Sequence, residues 1–402
     1  MSVISLFLLI LAALPLCYWY VLAVAAFRKP KIRARTQPSY RIALTIPAHN
    51  EESVIEATVA RLRAMDYPPE LFDIAVVADH CTDHTAQVAR SAGAQAYERD
   101  DGNRGGKGTA LKWLFDILLN PPAAPGFRPY DAIVVFDADT RVDPQFLRIM
   151  DARLSQGDRV IQGQHRISNP DDGWFPALTW AMFIVDNRLQ NLGRSNLNFS
   201  AKNMGDSICV SADVLRRYGW GEGLTEDYAF RQNLLLNGIQ IRYEPDAIGL
   251  GEAPANWQIA RKQRARWLRG THDASRHYGL SLAREALRRR EPALFDGLLQ
   301  ATLPSYSTMT LIAGLLWLIH MASALTGGSW LAAGLFTVLL FLMMVYPFIG
   351  LALEHAPGKA YLVMLSGPIF IVWRTTLALA SRFGRRTIEW VRTPRRANIR
   401  AD

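Results

Sequence analysis

Four strongly apolar stretches near the two ends of the chain constrain its fold more than any other feature. Residues 3–27 contain no charged side chain, and three further apolar stretches follow late in the chain, at 302–325, 330–353 and 360–381. Each is long enough to cross ~30 Å of hydrocarbon, which takes ~20 helical residues. Residues 41–290 contain no such stretch. The pattern predicts a soluble domain between membrane-spanning ends.

The first stretch has the position of a secretory signal peptide but not its composition. It lacks a basic amino-terminal region and its apolar run is too long, so residues 1–30 are predicted to form an uncleaved transmembrane anchor. Basic segments at 28–37 and 284–292 flank the domain on its own side of the membrane. Because basic juxtamembrane segments stay in the cytoplasm, residues 38–290 are predicted to form the cytoplasmic domain of a multi-pass inner-membrane protein.

The C-terminal part, residues 291–385, raises a problem of parity. Three full spans would place the basic tail, residues 386–402, outside the cell, against the positive-inside rule. The last apolar stretch is interrupted by a Gly-Pro pair at 367–368 and contains Arg374. We therefore expect this stretch to be re-entrant or interfacial, or the number of spans to be smaller by one, and the tail to be cytoplasmic.

The charge and cysteine content exclude some classes of function. The net charge of +9 largely reflects the basic flanks and tail, and the domain has no basic patch with interleaved aromatic residues, so no nucleic-acid partner is predicted. The three cysteines, Cys17, Cys81 and Cys209, show no metal-binding spacing. A cytoplasmic domain would keep the last two reduced.

Within the domain, nearly continuous apolar runs alternate with segments of helical periodicity. Strands are predicted at 41–50, 72–79 and 129–139, and helices at 51–65, 82–93 and 105–119. The pattern loosens beyond residue 160, where further helices are predicted at 175–190, 226–238 and 256–272. Buried strands alternating with helices predict an α/β domain with a mostly parallel sheet, whose ligands bind at the carboxyl ends of the strands.

Polar side chains follow three of the predicted strands. Asp137 and Asp139 end one strand in "FDADT", where a turn would let both carboxylates approach one Mg²⁺ or Mn²⁺ ion and leave positions for substrate phosphates. Lys107 in "GGKGT" would suit a phosphate, although the glycine spacing is not that of a Walker loop. Each feature also has a simpler interpretation: Asp79 could cap the helix beginning at Thr82, and Lys107 could be solvated.

Two further segments contain groups suited to catalysis. Glu226 and Asp227 are adjacent in "GLTEDYAF", and acids in the first turn of a helix also stabilise it without any function. Arg266 and Trp267 in "QRARW" would by default be an arginine and a tryptophan placed at a membrane interface. Taken singly, each structural interpretation is the better one.

The order of these motifs changes that judgement. "IPAHNEE", "ADHCTD", "GGKGTAL", "FDADT", "TEDYAF" and "QRARW" follow one another between about residues 41 and 270. This series resembles the membrane-bound family 2 glycosyltransferases, in particular the processive synthases of cellulose, hyaluronan, chitin and poly-N-acetylglucosamine. The resemblance implies a nucleotide-sugar-binding domain of the glycosyltransferase-A type, flanked by transmembrane helices. It also implies a UDP-sugar donor, a divalent metal and a polysaccharide acceptor.

The resemblance implies a role for each motif. Glu51 and Asp79 would hold the uracil and ribose, with Lys107 near the nucleotide. Asp137 would contact the nucleotide, Asp137 and Asp139 would face the metal, and Asp227 would be the general base beside a supporting Glu226. The diphosphate and the acceptor end would be held by Gln263, Arg266 and Trp267. His49 departs from the family, which commonly has a stacking tyrosine there, and the base preference is correspondingly less defined.

Physical chemistry leads to the same kind of reaction. A nucleotide leaving group gains negative charge, which a metal and an arginine stabilise, while one carboxylate takes the proton of the acceptor hydroxyl. One base without a second carboxylate placed as a nucleophile predicts a single displacement with inversion. An alternative acceptor is a membrane lipid that receives one sugar. The small number of predicted membrane spans favours that alternative, because a channel that translocates a polymer needs enough helices. Oligomers or an accessory subunit could complete such a channel.

Two alternatives of other classes are weaker. A nucleotide sensor or transporter component without enzymatic activity would tolerate Asp227→Asn. A dinucleotide oxidoreductase would need a Gly-x-Gly-x-x-Gly sequence after the first strand, which is absent from the sequence.

Overall fold

Apolar segments form most of the strands of one mixed sheet. The computed structural model describes residues 2–33, 37–102, 105–121, 128–221 and 223–383. For residues 381–383 it describes the backbone alone. Within these residues the sheet has eight strands. They are β1 Ile42–Ala48, β2 Phe72–Asp79, β3 Gln95–Arg99, β4 Ala132–Val135, β5 Arg141–Val142, β6 Val160–Ile167, β7 Ile208–Ser211 and β8 Arg242–Gly251.

The strand order is β3-β2-β1-β4-β7-β6-β8-β5. Strand β1 pairs in parallel with β2 and β4, β2 with β3, and β6 with β8. Strand β7 runs antiparallel to both of its neighbours, β4 and β6, and β5 runs antiparallel to β8. The prediction of an α/β fold with a mostly parallel sheet is confirmed. The reversal of β7 brings its first residues to the edge at which β4 and β6 end.

Helices cover both faces of the sheet and continue into the membrane-proximal part. They are α1 Val3–Ala25, α2 Glu52–Arg63, α3 Thr85–Ser91, α4 Lys107–Leu119, α5 Phe146–Ser155, α6 Trp174–Val185, α7 Gly193–Asn196, α8 Ala212–Tyr218, α9 Glu226–Leu236, α10 Trp257–Arg289, α11 Pro292–Thr302, α12 Tyr306–Leu325, α13 Trp330–Leu353, α14 Gly358–Met364 and α15 Gly367–Phe383. A π-helix, Asp186–Leu192, joins α6 to α7. Alternate strand residues pack into two cores, one beneath α4, α8 and α9 and the other beneath α2, α3 and α5.

Several predicted boundaries are wrong for identifiable reasons. Helix α3 begins at Thr85 rather than Thr82, because the Thr82 N–H donates to the Asn50 side chain (2.8 Å) and Asp83 accepts from the Thr85 N–H (3.0 Å). The helix predicted to end at residue 272 continues to Arg289, since nothing breaks it before Arg290 adopts a left-handed conformation (φ 56°). The helix predicted at 175–190 changes to π geometry at Asp186.

Three helices of the described chain are long and apolar enough to cross a membrane: α1, α12 and α13. Helices α14 and α15 are separated at the predicted Gly-Pro interruption, bend by 52°, and would make a fourth span if counted together. These helices share an apolar cluster with α6. The predicted tail, residues 386–402, lies outside the described residues.

One buried carboxylate of α11 joins helices α1, α7 and α9. Asp296 of α11 accepts from Arg194 Nε (3.1 Å) and from the Tyr18 hydroxyl of α1 (2.5 Å), and its second oxygen lies 3.5 Å from Arg231 Nη2 of α9. All three charged side chains are at most 2% exposed. Buried charges need partners, because a lone charge loses its hydration without compensation. The cluster therefore fixes α9 against α1 and α11.

We predict that Asp296→Ala destabilises the protein strongly. Removing one partner of a buried ion pair costs about 3–5 kcal/mol, because the remaining arginines stay buried without their counter-charge. Unfolding by denaturant in mixed micelles measures this change. A matched control is Asp213→Ala, whose partner Arg159 and own carboxylate are exposed (44% and 60%), and which should cost less than about 1 kcal/mol. Equal losses in the two variants would contradict the role of Asp296.

Candidate active site

The carboxyl ends of β4 and β6 and the start of β7 place several polar side chains at one edge of the sheet. Asp137 follows β4, His165 lies near the end of β6, and Asp206 lies two residues before β7. Because β7 is antiparallel to both neighbours, Asp206 lies between the other two residues in space. The reversed strand therefore builds the centre of the site.

Asp206 organises this centre through a buried carboxylate that is 1% exposed. One oxygen accepts from the Asp137 N–H (3.0 Å) and the Thr140 hydroxyl (2.9 Å), and the other accepts from His165 Nδ1 (2.7 Å) and the Ser207 hydroxyl (3.1 Å). Burial alone would raise the pKa of Asp206, but the hydrogen bond and charge of His165 outweigh it and lower the pKa. The carboxylate thus stays charged and holds the turn of the Asp-x-Asp motif.

Lys107 links that turn to the segment before β7. It begins α4 after Gly106, whose φ of 86° suits glycine, and its ammonium donates to Asp137 Oδ1 and to the Gly205 carbonyl, both at 2.5 Å. Burial would lower the pKa of Lys107, but the charges of Asp137 and Glu226 raise it, so the ammonium is charged. The side chain is only 17% exposed. The interpretation of Lys107 as a solvated lysine is therefore wrong.

The two aspartates of the motif suit a hard divalent cation. The Asp137 side chain is 43% exposed and shares one oxygen with Lys107, and the charges of both Asp137 and Asp139 act on His165. No group of three or more His, Cys, Asp or Glu side chains among the described residues is placed to hold a metal by itself. Two carboxylates with few protein ligands fit Mg²⁺ or Mn²⁺, which keeps positions for phosphate and water.

Glu226 and Asp227 begin α9 and occupy different environments. Glu226 is 7% exposed and packs against Gly108 of α4, where an added Cβ would lie 2.9 Å from the Glu226 Cβ. Asp227 is only partly buried, accepts from the Tyr228 N–H (2.8 Å), and places its carboxylate beside Gly205. Gly205 has a φ of 74° and allows this close approach. Asp227 is therefore the more accessible acid of the pair.

Both acids hold protons more tightly than ordinary carboxyl groups. Burial raises the pKa of Glu226 to about 7, and the charge of Asp227 adds to this shift while Lys107 opposes it. Burial also raises the pKa of Asp227, against the Tyr228 N–H and the charges of Lys107 and Arg266. Carboxylates with raised pKa values are suited to accepting a proton near neutral pH.

Helix α10 borders the acids from the other side. Gln263, Arg266, Trp267 and Gly270 recur at helical spacing and share one face of the helix. The Arg266 guanidinium donates to the Leu224 carbonyl (3.3 Å), and Gly270 lies so close to Thr225 that a Cβ would approach it to 2.7 Å. The glycine therefore allows α10 to pack directly on the segment that leads into Asp227.

A second cluster forms where β1, β2 and β3 end. The His49 ring nitrogen Nδ1 donates to the Asp79 carbonyl (2.7 Å), and Glu51 is 4% exposed at the start of α2. The Asp79 carboxylate accepts from Arg99 and from His80 Nδ1. The suggestion that Asp79 caps a helix is wrong, since its carboxylate binds Arg99 instead.

Sequence reasoning found both clusters but missed their supporting residues. The structure groups Lys107, Asp137, Glu226, Asp227 and Arg266 by contacts and electrostatic interactions. Asp206, His165 and Arg99 were not predicted. In the segment "SAKNMGDSICVS" (200–211), an aspartate just before a buried apolar run is the signal in the sequence for Asp206.

Comparison with a solved structure defines the fold class. The mannosyltransferase PcManGT from Pyrobaculum calidifontis, solved with GDP-Man and Mn²⁺, aligns with a TM-score of 0.61 at 16% identity, covering 95% of this chain and 99% of that chain. The fold is therefore of the glycosyltransferase-A type. The family model "Glycosyltransferase like family 2" matches residues 38–270. The chain belongs to this family and is a glycosyltransferase.

Two curated relatives differ in the acceptor that their names indicate. The poly-beta-1,6-N-acetyl-D-glucosamine synthase of Staphylococcus epidermidis is 24% identical over 277 residues, which cover 64% of this chain and 62% of that protein. The beta-monoglucosyldiacylglycerol synthase of Synechocystis sp. is 27% identical over 257 residues, covering 59% and 49%. The chain thus spans less than two thirds of each relative.

We predict that Asp206→Asn lowers kcat/KM by about 10²-fold, the size of loss that follows from a small misplacement of reacting groups. The amide keeps the shape but has one acceptor oxygen, so it cannot serve the Asp137 N–H and His165 together. Steady-state kinetics with a sugar donor measures this loss. Asp213→Asn, at an exposed ion pair, is the matched control. Wild-type kinetics in Asp206→Asn would rule out its organising role.

The raised pKa values predict a pH dependence. A base must be deprotonated, so kcat should fall as pH drops through a pKa that lies above the ordinary aspartate value of ~3.9. Like charges raise each other's pKa, and Glu226→Gln should therefore move this acid limb to lower pH. The pH profile of kcat tests the shift, with exposed Glu98→Gln as control. An unchanged or higher limb in Glu226→Gln would contradict the coupling.

Proposed function

We propose that the enzyme is an inverting hexosyltransferase that moves a sugar from a UDP-sugar to a growing β-linked polysaccharide at the inner membrane, with Asp227 as general base. The observation that supports this most is the position of Asp227. Its partly accessible carboxylate lies beside Gly205, whose carbonyl binds the same Lys107 ammonium that pairs with Asp137. The base and the proposed donor site are therefore adjacent.

The proposed reaction is a single displacement. Asp227 accepts the proton of the acceptor hydroxyl. The oxygen of that hydroxyl attacks the anomeric carbon as the bond from this carbon to the diphosphate breaks. General base catalysis contributes about 10²–10⁴-fold. One base acting from the face opposite the leaving group converts an α-linked donor into a β-glycoside. Glu226, buried behind Asp227, supports the charge and position of the base rather than meeting the acceptor.

The leaving diphosphate is proposed to lie between Lys107, the Asp-x-Asp turn and α10. A Mg²⁺ or Mn²⁺ ion held by Asp139 and Asp137 would neutralise part of its charge. Lys107 and Arg266 supply fixed positive charge, and Gln263 and Trp267 are proposed to position the diphosphate and the acceptor end on the same face of α10.

The nucleoside is proposed to bind at the β1, β2 and β3 ends. Donation from His49 Nδ1 to the Asp79 carbonyl orients the imidazole ring at these strand ends. The ring can also stack on the base. Glu51 is proposed to contact the base, and Asp79, oriented by Arg99, the ribose.

The second candidate is the transfer of a single sugar to a membrane lipid. The relative named as a beta-monoglucosyldiacylglycerol synthase supports it, as does the small number of candidate spans among the described residues. The relative named as a poly-beta-1,6-N-acetyl-D-glucosamine synthase supports the polymer. We place residues 38–290 in the cytoplasm between the anchor at 1–30 and the helices of 291–385, with oligomers or an accessory subunit to complete a channel.

We predict that Asp227→Asn lowers turnover at least about 10²-fold, because the amide cannot accept the acceptor proton. Nucleotide binding should survive, since the Lys107–Asp137 pair is untouched. Isothermal titration with UDP and a radiolabelled transfer assay measure the two quantities. Glu226→Gln is the matched variant and should reduce turnover less. If Asp227→Asn and Glu226→Gln reduced turnover equally and UDP binding equally, the roles of the two acids would have been assigned wrongly.

We predict that a chelator abolishes transfer, that Mg²⁺ or Mn²⁺ restores it, and that Asp139→Asn raises the metal concentration needed. The assay screens UDP-, GDP- and dTDP-sugars and sizes the product. A long polymer from a UDP-sugar supports the leading proposal. A single sugar on an extracted lipid would replace it with the second candidate, and full activity in chelator would exclude the metal.

A further inference from the structure

Two arginines meet where α10 packs on the last membrane-proximal helix. The Arg264 guanidinium lies 5.3 Å from the Trp267 ring centroid and 5.8 Å from the Phe370 ring centroid. Phe370 belongs to α15, and Arg374 follows it by four residues, one turn along the same face. The contact through Phe370 therefore brings Arg264 and Arg374 to one junction between the two helices.

The positive charge at this junction is not balanced. Over the parts of the chain that the structure describes, neither Arg264 nor Arg374 has an acidic side chain within ion-pair distance. The charge of Asp186 reaches Arg374, but that carboxylate is already paired with Lys202. Burial and the charge of Arg374 lower the pKa of Arg264 to about 10, so it remains charged at neutral pH. Arg374 thus shares its one nearby anion with Lys202, and Arg264 adds a further positive charge.

The outer face of α15 indicates where this junction lies. Ile369, Val372 and Leu379 recur on one side of the helix and are 67%, 52% and 51% exposed. An exposed apolar stripe opposite a basic face is typical of a helix that lies in a membrane interface. Trp267 and Trp373 are close to the arginines, and tryptophan is enriched at headgroup level. A helix in that position would hold both arginines at the depth of lipid phosphates.

We propose that Arg264 and Arg374 form a binding site for the phosphate of an anionic membrane phospholipid. Guanidinium groups bind phosphate oxygens through two parallel N–H bonds, and Trp267 and Phe370 provide the apolar wall that excludes water from the pair. The site borders the face of α10 that carries Gln263 and Arg266, and it shares Trp267 with that face. It does not depend on the proposed reaction, because it can be tested without a donor sugar.

The test measures phosphatidylglycerol binding to the purified full chain by native mass spectrometry, without nucleotide. Each basic side chain near an anionic lipid contributes ~1 kcal/mol, so Arg264→Gln and Arg374→Gln should each weaken binding about fivefold and the double variant about 25-fold. Phosphatidylcholine binding should not change. Arg261→Gln, on an exposed part of α10, is the matched control and should bind phosphatidylglycerol as the wild type does.

Two further variants and a competition keep the result unambiguous. Lysine at both positions retains the charge and should keep most of the binding, which separates loss of charge from loss of folding. An unchanged thermal unfolding temperature confirms that each variant is folded. Inorganic phosphate should not compete with phosphatidylglycerol. The proposal is overturned if the double glutamine variant binds phosphatidylglycerol normally. It is also overturned if that variant loses binding of inorganic phosphate or UDP instead, because the site would then serve a soluble anion.

Discussion

The buried carboxylate of Asp206 is the interaction on which the rest of the site depends. It satisfies the Asp137 N–H, the Thr140 hydroxyl and His165 at the point where the reversed strand β7 begins between β4 and β6. A buried charge is stable only when such partners are present, and removing any of them leaves the others without compensation. The Asp-x-Asp turn therefore has one geometry. Lys107, which binds both this turn and the Gly205 carbonyl, extends the same constraint to the acids of α9.

A second buried network holds α9 near its middle. Arg231, one turn after Asp227, donates to the carbonyls of Ser200 and Ala201 (both 2.8 Å) and lies near Asp296. Asp296 in turn accepts from Tyr18 of the first membrane helix. The proposed base is thus placed by contacts that reach α1, one of the three candidate spans of the described chain. Helix α1 therefore helps to position α9 through Tyr18 and Asp296.

Much of the fold and of the candidate site could be predicted from the sequence. The features that could not be predicted depend on contacts between residues far apart in the chain, which no local sequence pattern encodes. The early strands and helices are confirmed because apolar runs and glycine breaks act locally, as in β1, β2 and α4. Asp137, Asp139 and Asp227 were found from ordered motifs. Asp206 was missed because its partners are 41 and 69 residues away (His165 and Asp137) and meet it only when β7 reverses direction. The start of α3 was misplaced because Asn50, 32 residues earlier, binds Thr82.

The most direct test of the proposed single displacement, with Asp227 as general base, is the anomeric configuration of the newly formed glycosidic bond. The enzyme would be supplied with an α-linked, ¹³C-labelled UDP-sugar, and the anomeric coupling of the first product would be read by NMR before any rearrangement. One base acting opposite the leaving group predicts a β-glycoside. An α-glycoside would contradict the proposal, because retention requires a second nucleophile or attack from the same face as the leaving diphosphate.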